Sequence, residues 1–248
     1  SDSPIHLKDS DIASLFIRTD PPFDNEYLTH TWLLDLAKCP VINSPRGIQK
    51  VNEKIWVTQF TDITPITTIT RHKADYLSFL NTHGDIIIKP TNGFGGTGIF
   101  KVSKHDPNKN VIFETMTQNG KEWVILQPYI PAADIGDKRI LLLNGEPLGA
   151  ILRLHGGDDH RNNFFAGGTA QPTEITKNDI KIIERLKPSL LTLGLTFVGI
   201  DIIGDYLIEV NVTSPTCLQE MNVTYNAHLE DKIVTNIEGL LHNKGDKK

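Results

Sequence analysis

Cysteine is scarce in this chain. Cys39 and Cys217 are the only two in 248 residues, and they lie far apart. Two such cysteines build neither a disulfide framework nor a zinc site, and they suit a protein of the reducing cytoplasm. Long hydrophobic runs are missing as well. No stretch approaches the roughly 20 apolar residues of a membrane span, and the start carries no secretory-signal pattern. The sequons Asn211-Val-Thr213 and Asn222-Val-Thr224 are therefore read as chance matches. Positive charge is not in excess: the net charge of −5 argues against nucleic acid and membrane as partners. Markers of nucleophilic hydrolysis are absent too. There is no Gly-x-Ser-x-Gly, neither cysteine has a neighbouring histidine, and no Gly-Lys-Ser/Thr marks a P-loop. Internal repeats are absent, and the Lys-rich 243–248 tail reads as frayed. What remains is the composition of a globular protein with room for one large or two small domains.

The most informative stretch that is present runs from Phe197 to Thr216. It reads as two alternating strands around Gly204-Asp205. Side chains alternate along a strand with period two. Val198, Ile200, Ile202, Ile208, Val210 and Val212 then form an apolar face, and Asp201, Glu209 and Asn211 share the other. A three-residue loop, Gly204-Asp205-Tyr206, or a bulge sets Asp201 opposite Glu209; the loop is the expectation. Two carboxylates and an amide suit a hard cation such as Mg2+ that takes the rest of its shell from water and substrate phosphates. An ordinary sheet with a solvated polar face gives the same pattern.

Gly93-Phe-Gly-Gly-Thr-Gly98 matches G-x-G-x-x-G, but a dinucleotide fingerprint must open a helix. Here Ile99-Phe-Lys-Val-Ser103 alternates like a strand. The loop therefore reads as a flap between strands whose N–H groups can fold over phosphates, or as a plain turn. Lys89, at the end of Ile86-Ile-Ile88, adds a cation beside it. Arg139 opens a strand, Arg153 ends its partner, and Arg161 lies in a long polar loop. Arginine holds carboxylate or phosphoryl oxygens in a fork, although each could equally be a surface ion pair. Gln127-Pro-Tyr-Ile-Pro131 leaves backbone groups unpaired that could meet an adenine edge. His155, Asp158, Asp159 and His160 read as solvated loop.

Around these motifs, strands are expected at 15–18, 41–42, 66–70, 86–89, 99–103, 111–114, 123–127, 139–143 and 148–154. Asn144-Gly145 forms a hairpin turn. Helices are expected at 25–38, 73–82, 177–193 and 225–241. Another starts at Ser44-Pro45 and runs through Ile48, Val51 and Ile55, with Lys54 near its end. Strand runs without regular βαβ alternation argue an α+β fold of antiparallel sheets.

Several segments together resemble bacterial glutathione synthetase, an ATP-grasp family. They are Arg18-Thr-Asp-Pro-Pro-Phe-Asp24, Asn52-Glu-Lys54, Ile86 to Gly96, Gly136-Asp-Lys-Arg139, Ala166-Gly-Gly168, Phe197 to Asp205, and Glu209-Val-Asn-Val-Thr-Ser-Pro-Thr-Cys217. They stand in the family's order and cover nearly the whole chain. The resemblance implies an ATP-grasp fold, two α+β subdomains clasping ATP. Residues 1–45 would be the remainder of an N-terminal α/β substrate domain. Residues 46–248 would be the ATP-grasp domain, with 46–125 its small subdomain and 126–248 its C-terminal subdomain.

The resemblance also implies roles. Lys54 and Lys89 contact ATP phosphates, and Gly93, Gly95, Gly96 and Gly98 form the flap. Gln127, Tyr129 and Ile130 form the adenine hinge, with Asp137 in the nucleotide site. Asp201, Glu209 and Asn211 hold Mg2+, or Mn2+. Arg139, Arg153 and Arg161 hold the acceptor carboxylate and its phosphorylated form, with Arg139, Arg153 and Lys89 as the catalytic set. Asp20, Asn163, Thr213 and Ser214 line the substrate end, and 155–170 is a lid. Family members read Arg-Gly-Asn in that lid, where this chain has Arg161-Asn-Asn163.

The implied reaction joins γ-glutamylcysteine and glycine, with ATP, into glutathione, through an acyl phosphate. A homo-oligomer, dimer or tetramer, is the implied assembly. Two other readings share the motifs. One is a ligase for another carboxylate, such as a protein-terminus glutamate ligase or a D-alanine ligase. The other is an ATP-binding module without turnover.

Overall fold

The computed structural model describes residues 12–154 and 169–245. Three sheets organise the chain. Strands β1 (Leu15–Phe16) and β2 (Val41–Ile42) form a small parallel pair, with helix α1 (Asn25–Leu34) between them. Asp24 caps α1 by accepting from Tyr27 N–H at 2.9 Å. Helix α2 (Pro45–Lys50) begins as the sequence suggests, with Ser44 as N-cap and Pro45 at its first position. It ends sooner than expected. Val51 is extended, and Asn52 Oδ1 accepts from Lys54 N and Ile55 N, starting a separate turn. Lys54 therefore sits on that turn, while Val51 is buried and Ile55 exposed.

The second sheet is antiparallel, in the order β3-β6-β4-β5, from β3 (Thr68–Thr70), β4 (Ile86–Pro90), β5 (Phe100–Val102) and β6 (Val124–Pro128). Helices α3 (Lys73–His83) and α4 (Lys109–Met116) cover one face. The strand expected at 111–114 is thus helix α4. Val111-Ile-Phe is a short apolar run that fits either state. Packing decides: Phe113 stacks on Tyr76 at 4.6 Å within the core under the sheet.

The third sheet is antiparallel in the order β11-β10-β7-β8-β9. Its strands are β7 (Asp137–Leu143), β8 (Glu146–Leu154), β9 (Thr169–Pro172), β10 (Phe197–Ile203) and β11 (Tyr206–Asn211). Asn144 and Gly145 both take positive φ between β7 and β8, as a two-residue hairpin turn of this kind requires. Helix α5 (Lys177–Thr192) is held by a capping box between Thr176 and Asp179. It packs Ile182, Ile183, Leu186 and Leu190 against Val198, Ile200, Ile202 and Val210. The long helix expected at 225–241 is two: α6 (Leu218–Tyr225) and α7 (Leu229–Gly245), broken at Asn226 in the left-handed conformation. They cover half of the opposite face, meeting Leu141, Ile151 and Phe197. Farther along the same strands stand the charged residues Asp137, Arg139, Arg153 and Asp201. Gly149 permits the close approach of α6: a Cβ there would lie 3.0 Å from the Met221 sulfur.

Candidate active site

The register of β10 and β11 pairs Asp201 with Glu209, as expected, but by another route. The turn is two residues long, with Ile203 opposite Tyr206, and a bulge follows between Asp201 and Ile202. The bulge exchanges two neighbours. Leu207 enters the core, and Ile208, expected there, instead lines a cavity. Asp201 also pairs with Arg139 on β7, and Asp137 with Arg153 on β8. Period-two alternation therefore puts four buried charged side chains on one face.

These four form a closed array. Arg139 donates through Nε to Asp201 Oδ1 and through Nη2 to Oδ2, the latter at 2.8 Å. Arg153 Nε donates to Asp137 Oδ1 at 2.9 Å and its Nη2 to Asp137 Oδ2, while the same Nη2 lies 3.1 Å from Asp201 Oδ2. The two carboxylates respond oppositely. Burial raises Asp137, and Arg153 only partly offsets it. Burial acts on Asp201 too, but Arg139 and then Arg153 prevail and hold it well below the usual range. Arg153 is itself raised, with Asp201 and Asp137 outweighing its burial.

Two lysines approach from the other side. Lys54 Nζ donates to Glu209 Oε1 at 2.7 Å and to the carbonyl of Gly93. Burial opposes its charge, yet Glu209 keeps its pKa above the ordinary value. Lys89 is buried, and burial lowers its pKa to about 8 despite the acids nearby. The glycine loop faces this cluster with positive φ at Gly95, Gly96 and Gly98.

Two adjoining cavities result. The larger, about 200 Å³, is lined by Gly93, Gly95, Gly96, Asp20, Arg139, Arg153, Asp201, Glu209, Asn211, Thr213 and Ser214, together with Lys54. The second, about 120 Å³, is walled by Ile87, Ile203 and Ile208, with Lys89, Gln127, Tyr129, Ile130 and Asp137. The candidates Arg161 and Asn163, and most of the expected lid, lie outside the described residues. Gly98 turns the flap beside Pro90 without lining either cavity.

Some site residues were not foreseen. Glu53 lines the larger cavity, and its Oε1 accepts from Val212 N, Thr213 N and Thr213 Oγ1 at 2.8–3.1 Å. Burial, then the Glu209 charge, raises its pKa. Its place between Asn52 and Lys54 was the only sequence signal. Asn43 donates to the carbonyls of Phe197 and Val212 and accepts from Phe197 N, tying β2 to the acidic hairpin. Nothing local in the sequence marks it.

Glu209 and Asn211 can offer oxygens to a divalent cation, while both oxygens of Asp201 are held by Arg139 and Arg153. Asp201, Glu209 and Asn211 line one cavity. Glu209 accepts at Oε1, and Asn211 uses only its Nδ2, toward Asp201 Oδ2 and Gly199 O at 3.4 Å. Glu209 Oε2 and Asn211 Oδ1 are thus uncommitted among the described residues.

Two antiparallel sheets, one carrying the glycine flap and Lys89 and the other an acid–arginine face, with Lys54 reaching in between, are those of an ATP-grasp enzyme. The comparisons agree. Residues 2–49 match the prokaryotic glutathione synthetase N-terminal domain and residues 53–226 its ATP-grasp domain. Glutathione synthetase of Salmonella typhimurium is 42% identical over 245 residues, covering 97% of this chain and 77% of its own length. Among solved structures, D-cycloserine synthetase DcsG aligns with a TM-score of 0.68 at 17% identity, over 89% of this chain and 82% of that one. D-alanine–D-alanine ligase of Bacillus anthracis aligns at 0.66 and 16%, over 96% and 83%. At that identity these two show the fold alone. The chain belongs to the prokaryotic glutathione synthetase family, and with it to the ATP-dependent ligases that form C–N bonds. ATP-dependent glutathione synthesis is that family's activity, and its enzymes use ATP with a divalent metal. Among the described residues, no helix is long and apolar enough to cross a membrane.

Proposed function

We propose that this chain phosphorylates the glycine-accepting carboxylate of γ-glutamylcysteine with ATP and passes the acyl group to glycine, releasing ADP and phosphate. The observation that carries this reading is the convergence of both lysines, both arginines and all three oxygen ligands on two adjoining cavities. A carboxylate is a poor electrophile because oxide is a poor leaving group; phosphorylation supplies a good one.

In this reading the base of ATP lies between Ile87 and Ile208, against Gln127, Tyr129 and Ile130. The phosphates lead toward Lys89 and Lys54 beneath Gly93, Gly95, Gly96 and Gly98. Asp137 holds Arg153 in place. Arg139 and Arg153 orient the acceptor carboxylate and neutralise the charge that gathers on it. Asp20, Thr213 and Ser214 frame the dipeptide end, with Arg161 and Asn163 arriving from the lid. Asp201, Glu209 and Asn211 would hold Mg2+, with Mn2+ as a substitute, and the ion would screen the phosphate charges. No side-chain nucleophile is required, so Cys39 and Cys217 take no part. The glycine amine, deprotonated, attacks the acyl carbon and expels phosphate.

Residues 1–45 are assigned to the substrate domain and 46–248 to the ATP-grasp domain, with 46–125 its small subdomain and 126–248 its C-terminal subdomain. A cytoplasmic homo-oligomer completes the proposal. The test is isotopic. γ-Glutamylcysteine carrying 18O in its cysteinyl carboxylate should deliver one 18O to the released phosphate. Unlabelled phosphate alongside normal glutathione formation would refute the acyl phosphate. Absence of ADP release with γ-glutamylcysteine and glycine would refute the substrate assignment.

A further inference from the structure

Beyond the residues assigned above, Thr67 stands just outside the smaller cavity, immediately before β3 and hydrogen-bonded to Gln127 of β6. Gln127 Nε2 donates to Thr67 Oγ1 at 2.9 Å, and Thr67 Oγ1 donates to the carbonyl of Pro65 at 2.8 Å. A hydroxyl carries one proton. Here that proton is committed to Pro65, so Thr67 can only accept from its other neighbour. The amide of Gln127 is thereby fixed with nitrogen toward Thr67. The flipped amide would set two acceptors against each other with no proton between them.

The consequence falls on the cavity side. Gln127 is only 5% exposed, yet its Oε1 accepts nothing from the described residues and is not among the sealed, unpartnered atoms. It therefore opens on the cavity that Gln127 lines with Ile87 and Ile208. An oriented carbonyl oxygen in an apolar slot accepts from an amino group and opposes another carbonyl.

We propose that Thr67 is a positioning residue for nucleotide choice: through the Thr67–Pro65 relay it presents Gln127 Oε1 to the exocyclic amine of a 6-aminopurine and excludes 6-oxopurines. This rests on the base occupying the smaller cavity, as proposed above. Inosine triphosphate is the sharp probe, since it differs from ATP at purine position 6, where a carbonyl and a ring N–H replace the amine.

The experiment compares kcat/KM for ATP and inosine triphosphate in the full chain and in Thr67→Val and Thr67→Ser. Valine keeps the shape and removes both hydrogen bonds; serine keeps both. In Thr67→Val the preference for ATP should fall about tenfold, the scale of one lost buried hydrogen bond, through the nucleotide KM values. The KM for γ-glutamylcysteine should stay put, and Thr67→Ser should retain the wild-type ratio. An unchanged ratio in Thr67→Val, or an equal loss in both variants, overturns the proposal. If the valine variant is insoluble, Thr67→Ala is read by the same criteria. Ile208→Trp separates the underlying premise. If that bulky side chain leaves the KM for ATP unchanged, the base lies elsewhere. If it raises KM while Thr67→Val keeps its ratio, only the role of Thr67 fails.

Discussion

The two walls of the site are built on opposite principles. The acid–arginine wall is fixed by strand register: Asp201 against Arg139 and Asp137 against Arg153. Every charge there is buried and has a partner. The flap itself, Gly93 to Gly98, carries no charged side chain. Its glycines take backbone angles that other residues resist, and its hold on the rest of the site runs through Lys54 to the Gly93 carbonyl. A rigid wall suits a place where charge develops during reaction, because preorganised groups need no rearrangement. An adaptable wall suits a loop that must fold over a ligand and release it.

That contrast can be broken first at Arg153. Replacing it with methionine leaves Asp137 buried without its guanidinium. Breaking a buried pair in this way should cost about 3–5 kcal/mol, read from urea unfolding at neutral pH. The loss should shrink as pH falls, since an unpaired Asp137 escapes its penalty by protonation. A loss that grew at low pH would contradict the array described here. Glu209→Ala comes next. It should lower kcat by about 100-fold or more, as expected when several kcal/mol of metal-assisted stabilisation vanish. The circular dichroism spectrum should be unchanged. Wild-type turnover in that variant would remove Glu209 from the site.

Lys89 gives a sharper test of the lysines. Its pKa near 8 lies below the ordinary lysine value, so its charge is lost as pH rises through about 8. Phosphate oxygens favour the charged form. Binding of ATP at pH 8–9 should therefore take up a proton, seen by calorimetry in buffers of different ionisation enthalpy. Affinity should also weaken above pH 8. Lys89→Met should abolish the proton uptake; uptake that persisted would assign it elsewhere. The smallest effect belongs to the flap. Gly96→Ala, at φ 77°, should destabilise by about 1 kcal/mol and raise the KM for ATP several-fold, with kcat for the dipeptide little changed. A large loss of stability would mean that the flap is structurally essential.

Periodicity made much of this legible. The Ile86–Pro90 and Phe197–Asn211 strands are strong patterns, and the Asn144-Gly145 turn and the Ser44-Pro45 cap carry their own chemistry. Misreadings occurred where several states fit. Val111-Ile-Phe113 became helix because Phe113 found Tyr76. Helix α2 stopped at Lys50 because Asn52 captured the next N–H groups.

The sequence by itself determined the chemistry: which side chains carry charge, which strands alternate, and which glycines can turn. Tertiary structure alone decided that the arginines of β7 and β8 share the acid of β10. It also decided that a bulge turns Ile208 to the cavity, and that Glu53, Asn43 and Thr67 brace groups 60 or more residues away. Those contacts join distant segments, and local propensity carries no record of what a side chain will meet across a sheet.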